Sequence, residues 1–344
     1  MTDVRRRYLL KALGCAGALM PMSALVRPAH AVADMPSSLT ETRVLMGTIV
    51  TITLSQAPRD LLEEAMNLAF MRMEEHIRIF DRFDPASPLS HLNRSGTLGD
   101  APAELTAMVR RAQKLHKLSA GAFDITVLPL VELFRRHSKP TGVMTLDPAE
   151  LREIQTLVGV DGLRVDGHRL SLTRQGMGVT LDGIAKGFIA DEASRCLTEA
   201  GVTNHLINAG GDIVARGEKT PGQAWTVAVE RPGLPGNTNP DYASVLTLRD
   251  RAIATSGCGQ IFYDASRHHH HLINPQTGAS PIHMASTTVL APSAQEADAL
   301  ATTLAVMPAA QALDLVASLP GRECLLLPRS GGSLTSPCWP GQSV

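Results

Sequence analysis

Two oxygen-bearing side chains, Asp298 and Thr302, stand four residues apart in Ala297-Asp298-Ala299-Leu300-Ala301-Thr302. On a helix that spacing puts them on one face. A carboxylate and a hydroxyl are hard donors of the kind Mg2+ takes, with room left for phosphate oxygens. The plainer reading is a surface aspartate beside a half-buried threonine. A phosphate would find further partners in Leu181-Asp182-Gly183-Ile184-Ala185-Lys186-Gly187. Its glycines let backbone approach a ligand, a helix N-terminus there favours an anion, and Lys186 adds positive charge. It is not a Walker loop, because G-x-x-x-x-G-K-[ST] is absent. An ordinary turn with a solvated lysine is the competing reading.

Asn208-Ala209-Gly210-Gly211-Asp212 falls between two β-rich stretches. It is either a tight turn with an Asx contact or a loop whose N–H groups meet a ligand. Four histidines, His268 to His271, precede Leu272-Ile273-Asn274-Pro275-Gln276-Thr277-Gly278. Alternate residues of a strand share a face, so at most two of the four point together. We assign the functional role to His271 and read the others as exposed neighbours. Three blander stretches are Gly121-Ala122-Phe123-Asp124-Ile125-Thr126, the polar loop Phe83 to Asn93, and Met46-Gly47-Thr48. Aromatics make up only 3% of the chain, so Phe83 in a polar loop reads as either a stacking platform or a plug.

These groups need elements to hold them. Alternation from Thr42 to Leu54 predicts a strand, with Gly47 as a bulge. Helical spacing predicts long amphipathic helices over Arg59–Phe80 and Pro102–Ser119, separated by a polar loop from Asp81 to Asp100. A short helix follows Asp147-Pro148. Strands are expected at Leu163–Val165, Arg169–Leu172 and Val179–Leu181, then a helix from Gly183 to Ala200 ended by Gly201. Further strands fall at His205–Asn208, Ile213–Arg216, Trp225–Val229, Val245–Leu248, Ala252–Thr255 and Thr287–Leu290, with a Gly/Pro/Asn loop at 232–240. Helices over Ala294–Val306 and Ala309–Ser318 and a strand at Glu323–Leu327 close the chain. Runs of helix and of antiparallel-looking strand predict an α+β fold, one large domain rather than a doubly wound sheet.

The 344 residues, 44% hydrophobic and 19% charged, suit a globular chain with a large core. Residues 1–31 carry Arg5, Arg6, Arg7, Lys11 and Arg27 against Asp3, leaving −5 of the overall −1 on the remainder. A mildly acidic body without a basic stripe argues against nucleic acid as partner. Arg6-Arg7-Tyr8-Leu9-Leu10-Lys11 followed by an apolar stretch and Ala29-His30-Ala31 resembles a twin-arginine export signal. The alternative is a membrane anchor, against which Pro21 and the short apolar length weigh. Cys15 suggests a lipid site, but the apolar run before it is too short. The expectation is therefore a periplasmic protein with a signal at 1–31 and a flexible leader at 32–40. Cys196, Cys258, Cys324 and Cys338 show no C-x-x-C spacing; an oxidising compartment permits a disulfide but does not select a pair.

In this order, the seven motifs resemble the FAD:protein FMN transferase (ApbE) family, from about Met46 to about Met307. The resemblance implies an α+β domain over 41–330, followed by an irregular tail at 331–344. It implies Mg2+ on the FAD pyrophosphate and a target threonine that attacks the FMN-side phosphorus and expels AMP. Met46 and Phe83 would line the flavin; Ala122, Phe123, Asp124, Thr180, Lys186 and Leu272 would contact FAD. Gly183 through its carbonyl, Asp298 and Thr302 would hold the metal. His271 matches the histidine of the family's H-I-I-D-P-x-T-G motif and would also contact FAD, near the reacting phosphate. Three positions depart from the pattern: Thr180 where the family has Asp, with Asp182 two residues later; Asn274 for the motif's Asp; and Cys258 where Asp or Ser is usual. The departures resemble the NosX-like branch linked to nitrous oxide respiration, which implies a membrane flavoprotein as client.

A threonine hydroxyl needs a general base, and His271 has a suitable ordinary pKa of roughly 6.5. Asp182 and Asp124 compete for that role. Two other functions fit the same residues: an FAD pyrophosphatase releasing free FMN and AMP, and an exported flavin-binding protein without turnover.

Overall fold

The polar strand β1 (Ser37–Leu45) and the Thr/Ile/Val/Leu-rich strand β2 (Thr48–Ala57) form an antiparallel ribbon. The turn between them is Met46-Gly47, with φ of 52° and 71°. Two successive positive φ values make a tight hairpin, so the single strand with a bulge expected here is two strands. The computed structural model describes residues 37–232, 241–259 and 261–343. The signal reading at 1–31 and the loop at 233–240 lie outside them. Ser37 to Thr40, expected as leader, already belong to β1.

In chain order there follow α1 (Arg59–Phe80), α2 (Pro88–Ser95), β3 (Thr97–Leu98), α3 (Ala103–Leu118), α4 (Leu128–Arg136) and α5 (Pro148–Gln155). Then come β4 (Leu163–Asp166), β5 (Arg169–Leu172), α6 (Ala185–Glu199), β6 (His205–Ala209), β7 (Asp212–Arg216), β8 (Trp225–Glu230), β9 (Tyr242–Leu248) and β10 (Arg251–Gly257). The chain closes with β11 (Met284–Ala291), α7 (Ala294–Ala305), α8 (Ala309–Ala317), β12 (Glu323–Pro328), β13 (Leu334–Thr335) and β14 (Gln342–Ser343). The largest sheet runs β1-β2-β6-β7-β10-β11-β12-β13, and its ladders are antiparallel. The fold is α+β, as expected.

The large sheet is covered on both faces. Val50, Ile52 and Leu54 of β2 pack with Leu62, Met66 and Phe70 of α1 and Ile189 and Ala193 of α6. Val289 and Leu326 meet Leu300 and Leu304 of α7 and Val316 of α8. On the other face Ile213, Ile253 and Leu325 meet Trp225, Val227 and Leu246 of a small sheet ordered β14-β9-β8. Double burial is why β7 and β12 read as short continuous apolar runs rather than alternations.

Two helices escaped the sequence reading. α2 lies inside the expected polar loop; Ser87 caps it, Pro88 opens it and Gly96 at φ 73° ends it. α4 was not expected; nine residues give too short an apolar period. Val179–Leu181 is not a strand; its backbone bonds run elsewhere, Val179 N–H to Asn93 Oδ1 at 2.7 Å and Thr180 N–H to Ile125 O at 2.8 Å. The tail expected to be irregular contains β13 and β14, which pair with β12 and β9. Among the described residues all four cysteines are free.

His205 ties β6 to α6 and yields a pH prediction. It is fully buried, with Nε2 2.8 Å from Ser194 Oγ and Nδ1 2.9 Å from Val202 O. Burial, aided by Arg216, pushes its pKa down to about 4. The unfolded chain takes up this proton near pH 6.5 and the native one does not, so stability is complete above about 6.5 and falls as pH drops toward 4. Urea midpoints should show a loss of about 2 kcal/mol by pH 5 from this residue. His205→Gln should remove that component; an unchanged pH slope would contradict it.

Candidate active site

Antiparallel pairing brings two hairpin turns to one end of the large sheet. Val50 of β2 pairs with Ala209 of β6, so Met46-Gly47 lies beside Gly210-Gly211. The latter turn takes φ of 65° and 101°, and Gly211 N–H donates to Asn208 Oδ1 at 2.9 Å. The end of β10, the start of α6 and the Asp298–Thr302 face of α7 converge there around a cavity of about 720 Å³. This is within the range of about 300–1,000 Å³ typical of small-molecule and cofactor sites. Met46, Phe83, Ala122, Phe123, Asp124, Thr180, Asp182, Gly183, Lys186, His271, Leu272, Asp298 and Thr302 all line it. The chain thus gathers every predicted site residue in one place.

Its floor is charged, with the Asp298 and Asp212 carboxylates buried and Lys186 partly so. Asp298 is 2% exposed, and its Oδ2 accepts the Gly187 N–H at 3.1 Å. Lys186 Nζ hydrogen-bonds Asp212 and lies 3.7 Å from Asp298 Oδ1. Asp212 is likewise buried; it ends the Asn208–Asp212 motif, but its pairing partner could not be read locally. Burial and the neighbouring Asp212 push the Asp298 pKa up to about 7, against Lys186 and the Gly187 N–H, which hold it down. Burial raises Asp212 too, with Lys186 opposing. Burial disfavours the Lys186 charge, but Asp298 and Asp212 outweigh it and raise its pKa.

Thr302 Oγ1 lies 3.1 Å from Ser256 Oγ, and a Cβ at Gly183 would stand 2.8 Å from that same Thr302 oxygen. Two buried carboxylates against one ammonium, with two hydroxyls beside them, form a hard-oxygen set that suits a divalent cation. Among the described residues no group of three or more His, Cys, Asp or Glu side chains could hold a metal. A cation here would complete its shell with backbone, water or substrate oxygens.

Gly187 is what lets α6 and α7 meet at the floor. A Cβ there would come 2.2 Å from Ala294 O and 2.7 Å from Gln295 N, both backbone atoms. Gly187→Ala should therefore lower stability by about 3 kcal/mol in urea unfolding, because backbone must move. An unchanged midpoint would contradict the close approach.

The wall is made by loops. Asp124 is consumed structurally: Oδ1 accepts Thr126 N–H at 2.8 Å and Oγ1–H at 2.6 Å, and Oδ2 accepts Val160 N–H at 3.0 Å. Thr180 Oγ1 accepts the Asp182 N–H at 3.3 Å. Asn274 Oδ1 accepts the N–H groups of Gln276 at 2.9 Å and Thr277 at 3.2 Å, the turn contacts an aspartate would make. Its amide adds a bond to Val306 O at 3.2 Å.

The rim carries a residue the sequence reading missed. Arg82 Nε donates to Asp182 Oδ2 at 3.0 Å and Nη1 to Glu132 Oε1 at 3.1 Å. Its guanidinium carbon lies 4.0 Å from the centroid of the Phe83 ring. Asp182 itself has a side chain 59% exposed, tied to Arg82.

The four histidines do not form a strand. His268 is exposed and His269 Nδ1 lies 2.8 Å from Asp264 Oδ2. His270, expected exposed, is fully buried with Nε2 2.9 Å from Pro281 O. The irregular chain direction breaks the alternation on which that expectation rested. His271 lines the cavity, its Nδ1 is buried without a side-chain hydrogen bond, and burial lowers its pKa, with the Ile261 backbone and Asp182 opposing and Lys186 adding a little.

The ApbE family model matches residues 46–326. A curated relative from Haemophilus influenzae, named FAD:protein FMN transferase, is 34% identical over 242 residues, 67% of this chain and 68% of that one. One of the same name from Vibrio cholerae is 31% identical over 270 residues, 76% and 79% of the two chains. The solved flavin transferase ApbE from Vibrio cholerae superposes with a TM-score of 0.73 at 28% identity, covering 88% of this chain and 98% of that one. The ApbE protein of Thermotoga maritima shares the fold, with a TM-score of 0.78 at 24% identity over 88% and 97%. The family pattern spans most of the length, and these two curated relatives, both above 30% identity, match two thirds of it or more: the chain belongs to the ApbE family.

Proposed function

We propose that this enzyme, an FAD:protein FMN transferase by its relatives, moves FMN to a threonine hydroxyl of a client flavoprotein with Mg2+ as its metal. The observation that carries this is Lys186 and the buried Asp298 lining a cofactor-sized cavity, with the buried Asp212 paired to Lys186 behind it. In the reaction a bond forms from the threonine oxygen to the FMN-side phosphorus, the pyrophosphate bond breaks, and AMP leaves. The threonine proton goes to a base. His271 suits that role better than its competitors: its ring is on the cavity and burial keeps it neutral, whereas Asp124 has both oxygens engaged and Asp182 is tied to Arg82.

Lys186 and the start of α6 offer positive charge to the phosphates. Asp298, Thr302 and the Gly183 carbonyl would hold Mg2+. Bound there, Mg2+ would neutralise pyrophosphate charge and make AMP a better leaving group. Met46, Phe83, Ala122, Phe123, Thr180 and Leu272 would surround the flavin, and Asp124 would contribute by fixing its loop. Export by the twin-arginine-type signal and a membrane respiratory client of the NosX-like branch complete the reading.

Intact mass spectrometry of a small flavoprotein domain incubated with the protein, FAD and Mg2+ tests it. A gain of one FMN, lost in EDTA, is expected. Free FMN and AMP with an unmodified client would indicate the pyrophosphatase, and bound, intact FAD across several clients a carrier.

A further inference from the structure

Arg82 is a nearly buried cation whose partners come from three elements around the cavity mouth. Its side chain is 10% exposed. Asp182 reaches it from the turn before α6 and Glu132 from α4. Its own loop is fastened beneath: Ser90 Oγ donates to Arg82 O at 2.8 Å, and Phe83 N–H donates to Asp81 Oδ1 at 2.8 Å. Phe83, by contrast, is 65% exposed although it lines the cavity. The guanidinium 4.0 Å from its centroid covers one face of its ring.

We infer that Arg82 is a positioning residue for the flavin, holding the Phe83 ring in place as the surface against which the isoalloxazine lies. This rests on the FAD-transfer reading above. The physical reason is preorganisation. An exposed aromatic ring loses rotamer freedom when a ligand stacks on it, and a ring already held against a planar cation has less to lose. Two carboxylates match the Arg82 charge, so its contribution runs through the ring it supports. The two anchors also need a planar fork, which a lysine ammonium does not provide.

The test measures FAD affinity by flavin fluorescence in EDTA, without client, for the full chain and for Arg82→Gln, Phe83→Ala and the double variant. Each single change is expected to weaken FAD binding about tenfold, and the double variant to be no weaker than Phe83→Ala alone, the non-additivity of residues acting through one contact. With client and Mg2+, Arg82→Gln should raise the KM for FAD and leave kcat within about twofold. Additive losses, or unchanged affinity in Arg82→Gln, would overturn the inference. If circular dichroism shows Arg82→Gln unfolded, Arg82→Lys takes its place with the same expected weakening. Failure of the unaltered protein to bind FAD with Mg2+ present as well would instead remove the transfer reading itself.

Discussion

Asp298→Ala should reduce kcat/KM for FMN transfer by on the order of 10³-fold, and excess Mg2+ should not restore it. The carboxylate sits where water cannot replace it, at 2% exposure, between the Gly187 N–H and Lys186. Removing it leaves that N–H without its acceptor and takes away one of the two acids that face Lys186. Asp298→Asn tests charge separately from shape: the amide oxygen can still accept from Gly187, yet a neutral ligand binds a hard divalent cation poorly. Both variants should fail in the mass-shift assay while melting as folded proteins. Normal transfer by either would remove Asp298 from the metal site, whatever became of the rest of the mechanism.

His271→Ala should lower kcat by about 10²- to 10⁴-fold, the usual contribution of a positioned base, while FAD affinity changes little. The unaltered enzyme should also report the histidine in its pH profile. Burial, with a smaller push from Lys186, lowers the His271 pKa, and the Ile261 backbone and Asp182 only partly oppose it. A base works deprotonated, so kcat should be level at and above about pH 6.5 and fall only at lower pH. In His271→Ala that acid limb should disappear. A variant that kept both rate and limb would move the base elsewhere, with Asp182 next to be replaced.

Much of this molecule is legible locally. The helix over Arg59–Phe80 follows from apolar spacing and ends where expected, and α7 places Asp298 and Thr302 one turn apart as the sequence implies. Such features depend on neighbours within a few residues, which any reader of the chain has in view. Even α2 carried its signals in Ser87, Pro88 and Gly96, although the polar composition around them hid it. The motif order also sufficed to recognise the family, because its glycines and prolines shape turns that each motif needs for itself.

Tertiary structure decided what those motifs do to one another. Lys186 meets Asp212 and Asp298 across 26 and 112 positions of chain, and burial together with that charge pairing, not residue type, sets the direction of their pKa shifts. Asp124 loses its candidacy as base because Thr126 and Val160 occupy its oxygens. His270 goes inside while His268 stays out. Arg82 shows no periodicity or motif of its own, yet it ends up beneath Phe83 and between two acids. Residue types and local turns are written in sequence because they arise from short-range sterics and hydrogen bonding. Burial, charge pairing and the convergence of loops at one sheet end arise from long-range packing, and those set which oxygen binds, which proton leaves and which ring is held still.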